Sequence, residues 1–333
     1  MPGVGFPAAR IGDPVTHDTV VPSGVIGPPL PVPCPLCGTK PVMIEGMPAA
    51  HVGMSCVCSG ALSIGTAHPP PPPGVPPPPI VMGSATVYIH GMPAARWIPS
   101  GDSGACGTFL GDVKLTNART VLIGGPPALL QQDGTFLTKY SPAITIAGTP
   151  EFQATVVSRL ELIVTTKSGR TVLRRVNDSG KAMKIVEYGE DNSFCGANNT
   201  WSDSAGQTPK GRPVFDGYGK PVIGPDGKTQ LLGTGAGANT TLELNPNLTL
   251  QNPLDAENPL PNDAILMHEM NHGAHQMSGQ ADMSPLAGGW TTQEEKTTIL
   301  DGDPSEADYL KERGYPYHRI NHGRGFAPND DSL

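Results

Sequence analysis

Residues His268-Glu269-Met270-Asn271-His272 form an HExxH pentapeptide, and their types and spacing specify a chemistry. On a helix, positions i and i+4 share a face, so both imidazoles can reach one metal ion. Glu269 lies beside that face, where a carboxylate can take a proton from a water polarised by the metal. That is the apparatus of metal-dependent hydrolysis, with zinc as the ion such a donor set favours. The flanks predict the helix the motif needs. Asn262 or Asp263 caps its start, Ile265 and Met267 are apolar, and Ser278-Gly279 stops it.

A third ligand must come from elsewhere. The extended form of the motif needs a glycine at 275 and a histidine at 278, but the chain has His275 and Ser278, so that form fails. His275 is expected to face solvent or to stand behind the ligands. A carboxylate from a later helix is the alternative, with Glu294, Glu295, Asp303 and Glu306 as candidates. The stretch 291–300 predicts a helix opened by Thr291 or Thr292. On it Glu295 shares a face with Thr298 and Ile299 and so points toward the core, which favours Glu295 over Glu294.

The elements that position these groups occupy only part of the chain. Of 38 prolines in 333 residues, 24 fall before residue 128, so two materials are joined. A net charge of −8 disfavours nucleic acid or an anionic membrane as partner. No apolar run is long enough to span a membrane. The N-terminus has no basic segment followed by an apolar core, so no signal peptide is read and export would use another route. Five of the six cysteines (Cys34, Cys37, Cys56, Cys58 and Cys106) crowd the proline-rich part, which without a signal peptide favours metal ligation over disulfides. Cys195, alone in the second half, reads as structural.

A phrase recurs in the first part: Phe6-Pro7-Ala8-Ala9-Arg10, Met47-Pro48-Ala49-Ala50-His51 and Met92-Pro93-Ala94-Ala95-Arg96, spaced by 41 and 45 residues. Short β-rich segments ending in a glycine turn precede the second and third copies, so the copies are β-units that need one another to bury a core. The tract 69–79 reads as a polyproline II loop. His51 and His90 are expected at the surface. These phrases resemble the PAAR-repeat proteins over about 1–125, although the second copy ends in histidine. The resemblance implies an all-β cone that caps the trimeric valine-glycine-repeat spike of the type VI secretion machine. It also implies a structural zinc held by His and Cys, which maps onto His17, Cys56 or Cys58, His68 and Cys106. A four-thiolate site from Cys34, Cys37, Cys56 and Cys58 is the competing assignment.

After a linker at 126–143, ordinary composition resumes. The stretch 144–176 predicts a strand and then a helix with Phe152, Val156, Leu160 and Ile163 on one face, stopped at Ser168-Gly169. Strands follow at 183–189 and 239–248, the latter expected to form the edge of the cleft along which substrate backbone pairs. The order of AGTPEFQ, TLELNP, HEMNH, EEKTTI and HRINH resembles the NleD-like effector metallopeptidases over 144–322. That resemblance implies an α+β, zincin-like peptidase domain over 144–333, with catalytic zinc on His268, His272 and Glu295 or Glu294, and Glu269 as base. Glu306, Arg319 and His322 fall at positions that depart from that family's pattern, and stand behind the ligands or serve the oxyanion. The expected function is a secreted toxin: a spike tip, assembled in the producer's cytoplasm, carrying a protease that cuts a protein in the target cell, with an immunity protein as a further partner. The alternative is a structural spike tip with an inert extension.

Overall fold

The computed structural model describes residues 5–16, 22–29, 41–59, 62–63, 66–67, 70–97, 104, 109–110, 119–198, 201–205, 214–216, 220–223, 227–229, 233–322 and 325–329. It divides into two compact units, residues 1–139 with 147–157, and residues 140–146 with 158–333.

The first unit is strand-rich, and its repeats build it as their spacing requires. The second alanine of each phrase bonds the next copy's around a closed ring: Ala50 N–H to Ala9 O (2.8 Å), Ala95 N–H to Ala50 O (2.9 Å) and Ala9 N–H to Ala95 O (3.0 Å). The first alanines, Ala8, Ala49 and Ala94, pack with Ile44, Ile89 and Ile123 in one buried cluster. Small side chains are required where three backbones approach so closely. Three equivalent two-residue pairings surround the ring. Two are local hairpins, Met43–Ile44 with Met47–Pro48 and Tyr88–Ile89 with Met92–Pro93. The third is split, Phe6–Pro7 pairing with Leu122–Ile123 from the far end of the unit. His51 ends the second phrase inside this arrangement and is only 1 % exposed, its Nδ1 2.7 Å from Val52 O, contrary to the surface position expected. His90 is half-buried, with its ring centroid 6.0 Å from that of His51.

Cys56 (buried) and Cys58 (half-buried) lie on strand Met54–Cys58, which pairs with Pro22–Pro29. His17, Cys34, Cys37, His68 and Cys106 lie outside the described residues. The supposed linker at 126–143 is instead structured. Pro127–Leu130 and Phe136–Lys139 form a hairpin, and Pro127–Leu130 also pairs with Met82–Ser84. The alternation of buried Phe136 and Thr138 with outward Leu137 and Lys139 is the period of a half-buried strand.

In the second unit, helix Pro150–Ile163, which begins in the first, buries Leu160 and Ile163 here and Phe152 and Val156 there, on the face their spacing predicts. Ser168-Gly169 does not stop it. The helix ends at Ile163, and Ser168-Gly169 open a second one, Lys167–Asp178, whose N-cap Thr166 accepts from Gly169 N at 3.0 Å. Glycine is needed at 169 because a Cβ would collide with the Ile163 carbonyl. Gly169→Ala is expected to cost about 1–3 kcal/mol, the usual range for overpacking, read as a lower urea midpoint; an unchanged midpoint would refute this account of the turn.

Strand Thr240–Leu244 pairs in parallel with Met183–Glu187 on one side and antiparallel with Phe194–Ala197 on the other. It is therefore interior, not the cleft edge expected of it, because both of its hydrogen-bonding sides are taken. Phe194–Ala197 is the outer strand on this side of the sheet. Helix Asn262–Met277 packs on these strands, tied by Gln276 Nε2–H to Cys195 O at 2.9 Å. Gly273 makes that approach feasible, since a Cβ there would lie 3.1 Å from Cys195 Sγ and closer still to Met183. Helices Lys167–Asp178 and Glu306–Glu312 also pack against it, so the motif helix is buried almost all round.

Candidate metal centre

The motif helix starts from an N-cap at Pro261 with no side-chain cap, one residue earlier than expected. Asp263 has another task. Its Oδ2 accepts from the Tyr309 hydroxyl and from Arg313 Nε at 3.0 Å, which moors helix Glu306–Glu312 to the motif helix. Ser278 and Gly279, the latter at φ +68°, end the motif helix as expected.

One turn apart, His268 and His272 aim their Nε2 atoms at a common point, 3.0 Å from each other. Helix Gln293–Lys296, capped by Thr292 through Glu295 N at 3.2 Å, brings Glu295 to the same point. Its Oε2 is 3.5 Å from His268 Nε2 and its Oε1 3.5 Å from His272 Nε2. Donor atoms of His268, His272 and Glu295 all lie within 4.8 Å of one another, close enough to bind a metal ion. Glu295 Oε2 is buried and has no hydrogen-bond partner. A buried carboxylate oxygen without a partner is costly, and a cation is what this one fits. Two imidazoles and a carboxylate are also a donor set zinc accepts.

The electrostatics agree. Burial opposes a proton on His272, but Glu295 and Glu294 prevail and raise its pKa well above the ordinary value. Burial opposes charge on Glu295 as well, yet His272 and His268 hold its carboxyl well below the usual range. Without a metal the cluster gathers positive charge by protonation, and a cation can replace that proton.

Each imidazole is held from behind. His268 Nδ1 stands 2.9 Å from Glu306 Oε2, and His272 Nδ1 stands 3.2 Å from Glu294 Oε1 and 3.1 Å from Thr298 Oγ1. With Nδ1–H donating to these oxygens, both Nε2 lone pairs face the centre. Arg319 donates to Glu306 through Nε (2.8 Å) and Nη2, so Glu306 keeps its charge despite burial, with its carboxyl held at about 2. Glu306 and Arg319, 1 % and 4 % exposed, thus sit behind His268 and away from the open side.

Glu269 is buried, and burial raises its pKa against the pull of His268 and His272, as suits a proton acceptor. His322 approaches from the open side, its Nε2 3.5 Å from Glu295 Oε1 and its side chain 44 % exposed. Glu294, the other candidate ligand, turns away from the centre toward His275. His275 is 6 % exposed and does not face solvent, with its Nδ1 2.6 Å from Glu294 Oε1. Sequence reasoning missed the His275–Glu294 and Tyr309–Asp263 contacts. His275 had a usable signal, being three residues beyond His272 and so on its face.

A model of the Peptidase M91 family, described as an effector protein, matches residues 141–322, more than half of the chain. A PAAR motif model matches residues 36–112. No curated protein matches the chain. No helix of the described residues is long and apolar enough to cross a membrane.

Proposed function

Because the chain belongs to the Peptidase M91 family of effector proteins and also carries a PAAR motif, we propose that it is a type VI secretion effector whose C-terminal unit is a zinc peptidase with toxic activity in a target cell. The observation that carries the peptidase reading is the convergence of His268 Nε2, His272 Nε2 and Glu295, whose buried Oε2 has no hydrogen bond. Zinc bound there would polarise a peptide carbonyl and a water and lower that water's pKa. Glu269, its carboxyl pKa raised by burial, accepts the proton from the attacking water and returns it to the leaving amine. Glu306 and Glu294 keep the two ligand imidazoles in one tautomer. His322, on the open side, lies where it can donate to the oxyanion. An inert extension has no reason to bury two carboxylates behind two histidines.

The closed ring of three alanines supports a partner with threefold symmetry, which fits the trimeric valine-glycine-repeat spike. In the PAAR unit the proposed structural zinc uses His17, His68 and Cys106 with Cys56 or Cys58. The full chain is accordingly expected to carry two zinc ions, counted by elemental analysis, and His268→Ala/His272→Ala to carry one. A double variant that still holds two zinc ions would refute the C-terminal site. A wild-type chain with a single zinc, retained by the double variant, would favour the inert extension.

A further inference from the structure

Adjacent glutamates in one helical turn have opposite surroundings, and the contrast assigns a role to the second of them. Glu295 Oε2 has no hydrogen-bond partner, whereas both oxygens of Glu294 are engaged. Glu294 Oε1 receives His275 Nδ1 at 2.6 Å, the Thr298 hydroxyl at 3.3 Å and His272 Nδ1 at 3.2 Å. Its Oε2 receives Asp282 N–H at 3.1 Å, and its own N–H reaches back to Asp282 O at 2.7 Å. A carboxylate has about four acceptor sites, two on each oxygen; three donors crowd Oε1 and one takes Oε2, so Glu294 is held from both ends. Coordinating a metal would cost Glu294 a hydrogen bond, whereas Glu295 Oε2 has no hydrogen bond to lose.

We propose that Glu294 is a positioning residue for the metal centre, fixing the tautomer and ring plane of His272 and itself fixed by His275. The proposal rests on the zinc-peptidase reading and deepens it. Glu294 is 1 % exposed and so cannot swing to another partner in solvent. The third histidine of the run His268, His272, His275 thus serves as anchor for a carboxylate, and not as a ligand. The pattern is matched across the site: Glu306 holds His268 from one helix as Glu294 holds His272 from another. Thr298, one turn after Glu294, sits between the two partners, 3.1 Å from His272 Nδ1.

The test measures zinc affinity of the full chain by chelator competition, together with the visible spectrum of the cobalt(II)-substituted protein and the melting temperature of the metal-free protein. Loss of an orienting partner costs about 10–100-fold in metal affinity. Glu294→Ala is expected to weaken the C-terminal zinc by that factor and shift the cobalt bands while retaining four-coordinate intensity. Glu294→Gln, which keeps an acceptor for His272 and guards against a failure of the alanine variant to fold, is expected to fall between alanine and wild type. His275→Ala should move affinity in the same direction by less. Glu295→Gln should weaken zinc more than any of these. Wild-type affinity and spectrum in both Glu294 variants would overturn the proposal alone. So would loss of zinc in Glu294→Gln as complete as in His272→Ala, because Glu294 would then be a ligand. If His272→Ala removes no metal from the chain, the zinc-peptidase reading falls and this proposal with it.

Discussion

Glu269→Ala is expected to leave the zinc content and fold intact and to abolish peptide hydrolysis and toxicity. The side chain is packed on the motif helix beside His268 and His272 but is not among the His268, His272 and Glu295 donors that converge in the described residues, so its removal leaves that donor set unchanged. Its proposed work is proton transfer, and deleting a general base costs about 10²–10⁴-fold in rate. Zinc analysis and toxicity in target cells, run on the same preparation, separate this from loss of the metal. A Glu269→Ala chain that is as toxic as wild type would remove peptidase chemistry from the function.

Arg319→Met should produce the largest loss of stability. Arg319 and Glu306 form an ion pair with side chains 5 % and 0 % exposed, and Glu306 has His268 as its only other charged partner among the contacts described. Removing one member of a buried pair leaves an uncompensated charge, typically at a cost of 3–5 kcal/mol, or about that here, whereas replacing both members is often close to neutral. Arg319→Met/Glu306→Leu should therefore recover much of the stability of the metal-free chain in urea while still holding zinc poorly, because His268 loses its orienting oxygen. If the double variant is no more stable than the single one, the destabilisation comes from lost packing and not from the stranded carboxylate.

How much of this was legible in the sequence depended on how local each cause is. Helical spacing suffices to place His268 and His272 together, and the shared face with buried Ile299 points Glu295 at them. The same reasoning cannot find what Glu294 does. One residue on a helix turns a side chain by about 100°, and what waits there, His275 and Thr298, is set by how two helices pack. Ser168-Gly169 has the composition of a helix stop, but glycine stands there because a turn crowds it against Ile163, which only the tertiary fold reveals. Strand Thr240–Leu244 was recognisable, but its interior place was not, since strand order comes from pairings between distant segments. The hairpin at 127–139 was hidden by prolines and glycines that read as linker. In the first unit the repeat phrases foretold a shared core, and the structure closes them into a ring.

That ring has a consequence for assembly. One chain supplies all three sectors, so on the proposed reading a spike with strict threefold symmetry would meet a unit that is threefold only in its backbone. Residues at the phrase ends mark the sectors differently: Arg10 pairs with Glu45 at 3.2 Å, His51 stands edge-on to His90, and Arg96 donates to the carbonyl of Gly125 at 2.7 Å. On that reading the unit has three azimuths of seating that are equivalent for the spike but distinct for the unit. That multiplicity favours binding by an entropy of mixing of roughly 0.6 kcal/mol, RT ln 3. On the proposed reading, one copy of this chain would fill all three sectors of a single spike tip.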